Sequence, residues 1–196
     1  MVATRLRPDV VDARLYKVLQ ELPDGLKGEI LNGELRVVPH AFSGHTGVAS
    51  RLIGELYGPF ERKRGGPGGW VFDGDPQLNL GADVVCPDLA GWKAARAPEE
   101  GEFFLGTVPD WVAEVLSEGT WKQDRGPRME AWGRRGTGHV WLLEPETELL
   151  EIYWNDAGTM RPLATHQGRV QVRAAPFDSI ELDLAFIWPR KNPGRP

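Results

Sequence analysis

The sequence predicts a mixed α/β domain, and three features of its 196 residues carry that prediction. Two segments have helical spacing. Residues 9–22 place Val10, Val11, Leu15, Val18 and Leu19 on one side, and residues 43–62 do the same with Val48, Leu52, Ile53, Leu56 and Phe60. Short apolar runs recur between polar turns from Trp70 to Trp188, with the length of strands. Asn32-Gly33 separates two such runs and suits a two-residue hairpin, whose central positions both require positive φ.

Taken in order, the first helix is followed by the hairpin GEILNGELRVVP and by a second helix for which Ser43 is the N-cap. The glycine-rich stretch 65–69 has neither the lysine nor the spacing of a phosphate-binding loop and reads as a plain connection. Strands are expected at 70–72, 76–80, 83–89 and 111–116, with 94–101 a surface connection. Pro127 suits the first turn of a short helix reaching about Arg134, which Gly136 and Gly138 end. After the strand HVWLLEP, the segments ELLEIYW, TMRPLAT, RVQVRA and SIELDLAFIW read as alternating strands that extend the sheet in antiparallel fashion. One domain over 1–188 is expected, with the Pro- and Arg-rich tail 189–196 disordered.

Composition narrows the function. A net charge of −5 argues against a protein that coats nucleic acid non-specifically, because phosphate binding needs Lys and Arg in number. Basic residues nevertheless cluster at Arg62, Lys63 and Arg64 and again at Lys122, Arg125, Arg128, Arg134 and Arg135; either group could meet phosphate or form a solvated face. No run approaches the roughly 18 apolar residues of a membrane helix, and the charged N-terminus has no signal-peptide core, so a cytoplasmic location is expected. The single cysteine, Cys86, reads as a small buried hydrophobe. His40, His45, His139 and His166 lack zinc-ligand spacing, and no G-x-S-x-G element supports a serine hydrolase. The tryptophans sit mostly at alternate strand positions and read as core or interface rather than as a platform for bases.

Two acidic residues stand out, Asp88 in ADVVCPDLAGW and Glu114 in VPDWVAEVLSEGT. A carboxylate among Val, Leu, Ile and Trp is costly unless something compensates its charge. A divalent metal would do so, since hard cations take oxygen ligands and can polarise a phosphoryl oxygen. The alternative is that Asp88 marks a turn beside Pro87 and that Glu114 pairs with an arginine.

GEILNGELRVVP, a helix beginning near His45, GWVFDGDPQLNL, VVCPDLAGW, PDWVAEVLSEGT, a further helix and GHVWLLEPETELLEIY follow one another in an order that resembles the Uma-type family of putative restriction endonucleases. That family lies within the PD-(D/E)XK nuclease superfamily, and the resemblance covers about residues 25–155. It implies a restriction-endonuclease-like core, a central mixed β-sheet flanked by helices, with the site where two adjacent strands diverge. It also implies metal-dependent hydrolysis of DNA phosphodiester bonds. Carried over, Pro87-Asp88 matches the PD element, Glu114 the second acid and Glu34 a third acid, so that Asp88 and Glu114 would chelate Mg2+ or Mn2+ while Glu34 would hold a metal-bound water or a second ion. His45 matches a histidine common in the family and would lie either near substrate or in a structural role at its helix N-terminus, and Arg125 of the basic cluster is a candidate phosphate contact. Pro109-Asp110 is a second PD dipeptide that reads as the turn into the Glu114 strand.

The chain departs from this pattern at its lysine. Leu116 stands two residues after Glu114 where the superfamily has Lys, Arg128 stands where the family moves that Lys onto the following helix, and Trp132 replaces the usual Tyr. Arg stays protonated and presents a planar fork, so Arg128 can stabilise charge but is a poor base; Lys122 could substitute from the preceding loop. Two classes therefore stand side by side: an endonuclease using Asp88, Glu114, Arg128 and Lys122, and a non-catalytic binding or assembly protein on the same fold. A cleft with exposed carboxylates favours the first, and a salt-bridged cleft the second. Eight Trp and the strand-rich C-terminal third also predict a homodimer.

Overall fold

A computed structural model describes residues 11–39, 43–99, 106–116 and 124–189. Helix α1 (Ala13–Gln20) starts where Asp12 accepts the N–H groups of Arg14 and Leu15, a role suited to a short carboxylate. It packs on strand β1 (Leu26–Leu31) through Leu19, and Gly28 gives it room: a Cβ there would come within 2.4 Å of Leu19 and Leu22 methyl carbons. β1 turns through Asn32 and Gly33, with φ of 55° and 78°, into antiparallel β2 (Glu34–Pro39), as the Asn-Gly pair predicts. Because side chains alternate along a strand, Gly28 and Ile30 face α1 while Lys27, Glu29 and Leu31 face the other way.

This hairpin joins β5 (Asp83–Val85) and β4 (Leu78–Leu80) in a four-stranded sheet ordered β2-β1-β5-β4. A six-stranded sheet, ordered β10-β9-β8-β7-β6-β3, forms the centre. Its members are β3 (Trp70–Gly74), β6 (Leu89–Lys93), β7 (Trp111–Val115), β8 (His139–Glu144), β9 (Leu149–Asp156) and β10 (Thr159–Gln167). Only β7 and β8 run parallel, and helix α3 (Met129–Arg135) lies on their connection, since parallel neighbours require a crossover. The sheet is therefore mixed, and β9 and β10 give it the expected antiparallel extension, whereas RVQVRA does not join it: its Gln171–Val172 pairs in a separate two-stranded sheet.

Helices cover both faces. Helix α2 (Ser43–Leu56) continues through a π-helical turn (Tyr57–Glu61), and its Val48, Leu52, Leu56 and Phe60 pack with Trp111, Trp141 and Phe177 on one face. Met129, Ala131 and Trp132 of α3 pack with Trp92, Val112 and Leu142 on the other. Five of the tryptophans, Trp92, Trp111, Trp132, Trp141 and Trp188, are fully buried, in keeping with a core role. α3 ends at Gly136 with φ of 88° and lies hard against the β9–β10 turn: a Cβ on Gly133 would be 2.5 Å from the Gly158 carbonyl oxygen. Asn155 fixes that contact by donating to the Gly133 and Thr137 carbonyls, both at 2.9 Å.

Two further sequence expectations are corrected. The strand expected over 83–89 is two strands in two sheets, broken at Cys86–Asp88: Pro87 has no N–H, and the Cys86 N–H leaves the ladder for Glu29 Oε1 at 2.8 Å. SIELDLAFIW is not one strand either. Only Leu182–Asp183 (β12) pairs, with Gln171–Val172 (β11), before Asp183 caps the short helix α4 (Leu184–Ile187) by accepting the Ala185 N–H. The expected tail, apart from Pro189, lies outside the described residues. Among the described residues no helix is long and apolar enough to cross a membrane.

Candidate active site

The register of β6 on β7 pairs Leu89 with Ala113, and one step further sets Asp88 opposite Glu114. Asp88 Oδ2 accepts the Val115 N–H at 2.7 Å, so its carboxylate holds the two strands together where their ladder ends. Glu114 is opposite Leu142 of β8, which in turn is opposite Glu151 of β9. Asp88, Glu114, Leu142 and Glu151 thus form one row across four strands, on the face that α3 covers.

Two arginines lie over this row. They come from the π-helical turn Asp124–Arg128 that leads into α3, three residues apart. Arg125 ion-pairs with Glu151. Arg128 Nη1 donates to Glu114 Oε2 at 3.0 Å, while Nη2 donates to Glu29 Oε1 and lies 3.5 Å from the Cys86 carbonyl oxygen. The bridge is nearly closed to solvent: the side chains of Arg128, Glu29 and Glu114 are 13%, 10% and 2% exposed. Glu29 also accepts the Cys86 N–H, which ties the first sheet to the second.

Lys27, two residues from Glu29 on the same face of β1, ion-pairs with Asp75, whose own N–H donates to the Asp88 carbonyl at 2.9 Å. Burial alone would lower the Lys27 pKa. The Asp75 hydrogen bond and charge, aided by Cys86 and Asp88, more than offset it and raise the ammonium above its ordinary value. Burial, first of all, pushes the neighbouring Cys86 thiol up to about 12. Cys86 is a buried free thiol, as its sequence context suggests.

The sequence-derived residues separate on this map. Asp88, Glu114 and Arg128 come together. Glu34 does not: it sits at the solvent end of the hairpin, 75% exposed, with Arg36 at 3.8 Å as its partner. The acid that lies with Glu114 across Arg128 is Glu29. Glu29 and Glu34 share a Gly-Glu context, and the distinguishing signal is position, since Glu29 is followed by the apolar Ile30-Leu31 inside its strand while Glu34 directly follows the turn. Arg125 binds Glu151 rather than standing open to a ligand. Leu116, two residues after Glu114, is buried in the cluster that contains Trp92 and Trp132. Asp110 is structural, accepting from the Lys93 N–H and Arg96 Nη1 at 2.9 and 2.6 Å. His45 lies in the first turn of α2. Its side chain and Lys122 lie outside what the structure describes.

The oxygen donors are of the kind Mg2+ or Mn2+ takes, but their arrangement does not fit an ion as it stands. Among the described residues no three His, Cys, Asp or Glu side chains are placed to hold one. Arg128 supplies the positive charge between Glu29 and Glu114.

A mixed central sheet between helices, with acids gathered where β6 and β7 part, defines a restriction-endonuclease-like fold. A family model described as "Putative restriction endonuclease", Uma2, matches residues 14–185, and the chain belongs to that family. Among solved structures it is similar to a putative nuclease belonging to DUF820 from Anabaena variabilis ATCC 29413, at 17% identity and a TM-score of 0.71, covering 89% of this chain and 96% of that one. No curated protein matches.

Proposed function

We propose that the protein engages DNA as a restriction-endonuclease-type protein and that it cleaves the backbone slowly or undetectably. Family membership supports the substrate class. The observation that carries the reading on rate is the Arg128 guanidinium, engaged with both Glu29 and Glu114. An arginine in the family's lysine position cannot take a proton from water, and here its fork is committed to two carboxylates. Mg2+ or Mn2+ at Asp88, Glu114 and Glu29 requires that fork to move aside. Glu34 is not part of this proposal, because its exposed place on the hairpin leaves Glu29 as the third acid.

The same bridge favours a second reading, a non-catalytic DNA-binding or assembly protein. Nicking of supercoiled plasmid with Mg2+ or Mn2+ separates the two, with Glu114→Gln included to exclude a contaminating nuclease. Weak or undetectable wild-type nicking, raised by Arg128→Lys and absent in Glu114→Gln, is the expected result. Robust wild-type cleavage that Glu114→Gln abolishes and Arg128→Ala leaves unchanged would move the role to Lys122. Silence from both wild type and Arg128→Lys selects the second reading.

Homodimerisation belongs to the same proposal. β10 is an edge strand with Leu163 exposed, and Trp154 of neighbouring β9 is 40% exposed, both surfaces that a second copy could cover. A monomeric mass by light scattering at micromolar concentration removes it.

A further inference from the structure

Glu29 and Glu114 belong to different sheets, and Arg128 belongs to neither. One guanidinium therefore compensates two carboxylates that the fold brings together and almost buries. Removing one partner of such a group is costly, because it leaves charge buried without its counter-charge. A divalent cation and a guanidinium can meet the same demand, and they compete for the same oxygens. We propose that Arg128 is a built-in counter-cation that takes the place of a divalent metal in this centre. The wild-type centre accordingly takes Mg2+ and Mn2+ only weakly, and its carboxylates become a strong divalent-cation site when the guanidinium is removed.

The geometry accounts for the asymmetry between the two cations. Arg128 is covalently attached to the turn that Arg125 also pins to Glu151, so its effective concentration at the carboxylates is high and constant. A metal ion must displace it from both Glu29 and Glu114 while repelled by the same positive charge. Asp88, the next carboxylate in the row, is drawn on by the Val115 N–H. The inference concerns cation occupancy alone and holds whether or not DNA is the substrate.

The test uses the full-length chain and metal alone. Thermal unfolding in EDTA, MgCl2 and MnCl2, with calorimetric titration of Mn2+, compares wild type, Arg128→Ala, Arg128→Gln and Arg128→Ala/Glu114→Gln. Wild type is expected to unfold at nearly one temperature in all three media. Arg128→Ala is expected to unfold earlier in EDTA, to recover in Mn2+, and to bind Mn2+ on the order of 100-fold more tightly than wild type. The double variant loses that binding. If Arg128→Ala folds only when Mn2+ is present, the inference is supported directly. Arg128→Gln keeps hydrogen-bond donors without the charge, and carries the test if Arg128→Ala does not fold at all. Wild-type Mn2+ binding as tight as that of the variants, or folded Arg128→Ala and Arg128→Gln that both ignore Mn2+, overturns the inference.

Discussion

The two faces of β7 are equally dry and are held by different forces. Trp111, Ala113 and Val115 point to one side, where Trp111 meets Trp141, Phe72 and Phe177 edge-on at centroid distances of 5.5, 6.0 and 5.1 Å. Val112 and Leu116 point to the other with Glu114, and there the apolar cluster around Trp92 and Trp132 surrounds a row of carboxylates closed by two arginines. The first face depends on area and ring geometry, which ions do not alter. The second depends on charge balance. Burial alone therefore does not distinguish a packing surface from a chemical one; what marks the chemical side is a buried charge together with the group that answers it.

Perturbing each face should separate them. The largest losses are expected from Phe177→Ala and Arg128→Ala, about 3–5 kcal/mol each by urea unfolding, the first from a cavity among five aromatic rings and the second from uncompensated carboxylates. Only the second should respond to Mn2+, and equal responses would dissolve the contrast. Asp88→Ala should cost about 1–3 kcal/mol because it strands the Val115 N–H, and Asp88→Asn, which keeps an acceptor, should restore most of that. A smaller effect is expected from pH. The Cys86 thiol, raised from 9.0 to about 12, favours its neutral form in the fold, so its contribution to stability is full below pH 9 and fades as pH climbs toward 12. At pH 8 its alkylation should track unfolding, and rapid labelling of the native protein would show an accessible thiol. Glu34→Gln should be smallest, within about 0.5 kcal/mol and without effect on nicking, since its ion pair is solvent-exposed.

Much of this arrangement was legible in the sequence where local chemistry decides it. Asn32-Gly33 dictates its turn, Gly136 stops α3, and the apolar run Trp111–Val115 marks a buried strand. Asp88 and Glu114 stood out because each is a charge in an apolar run. The rest depends on partners distant in sequence. The break after Val85 needs Glu29, 57 residues away, to claim the Cys86 N–H. The apolar residues after Glu29 hint at its place, but fixing it requires knowing that β1 rather than β2 pairs with β5, and Arg125 could not be assigned to Glu151 without the order of β7, β8 and β9. LDLAFI alternates like a strand, and becomes a helix because Asp183 caps it after a single two-residue pairing.

The tight seat of Gly133 on the Gly158 carbonyl gives the β9–β10 turn leverage over chemistry it never touches. α3 is a short rod with that turn as its end-stop, and Arg128 extends from the opposite end, roughly 7 Å along the helix axis at 1.5 Å per residue. Adding even a methyl group at position 133 would act as a wedge, tilting the rod and altering how far the guanidinium reaches. The tip of the C-terminal hairpin is in that sense a tuning peg for the centre, and trimming it would be an adjustment of charge rather than the removal of an idle loop.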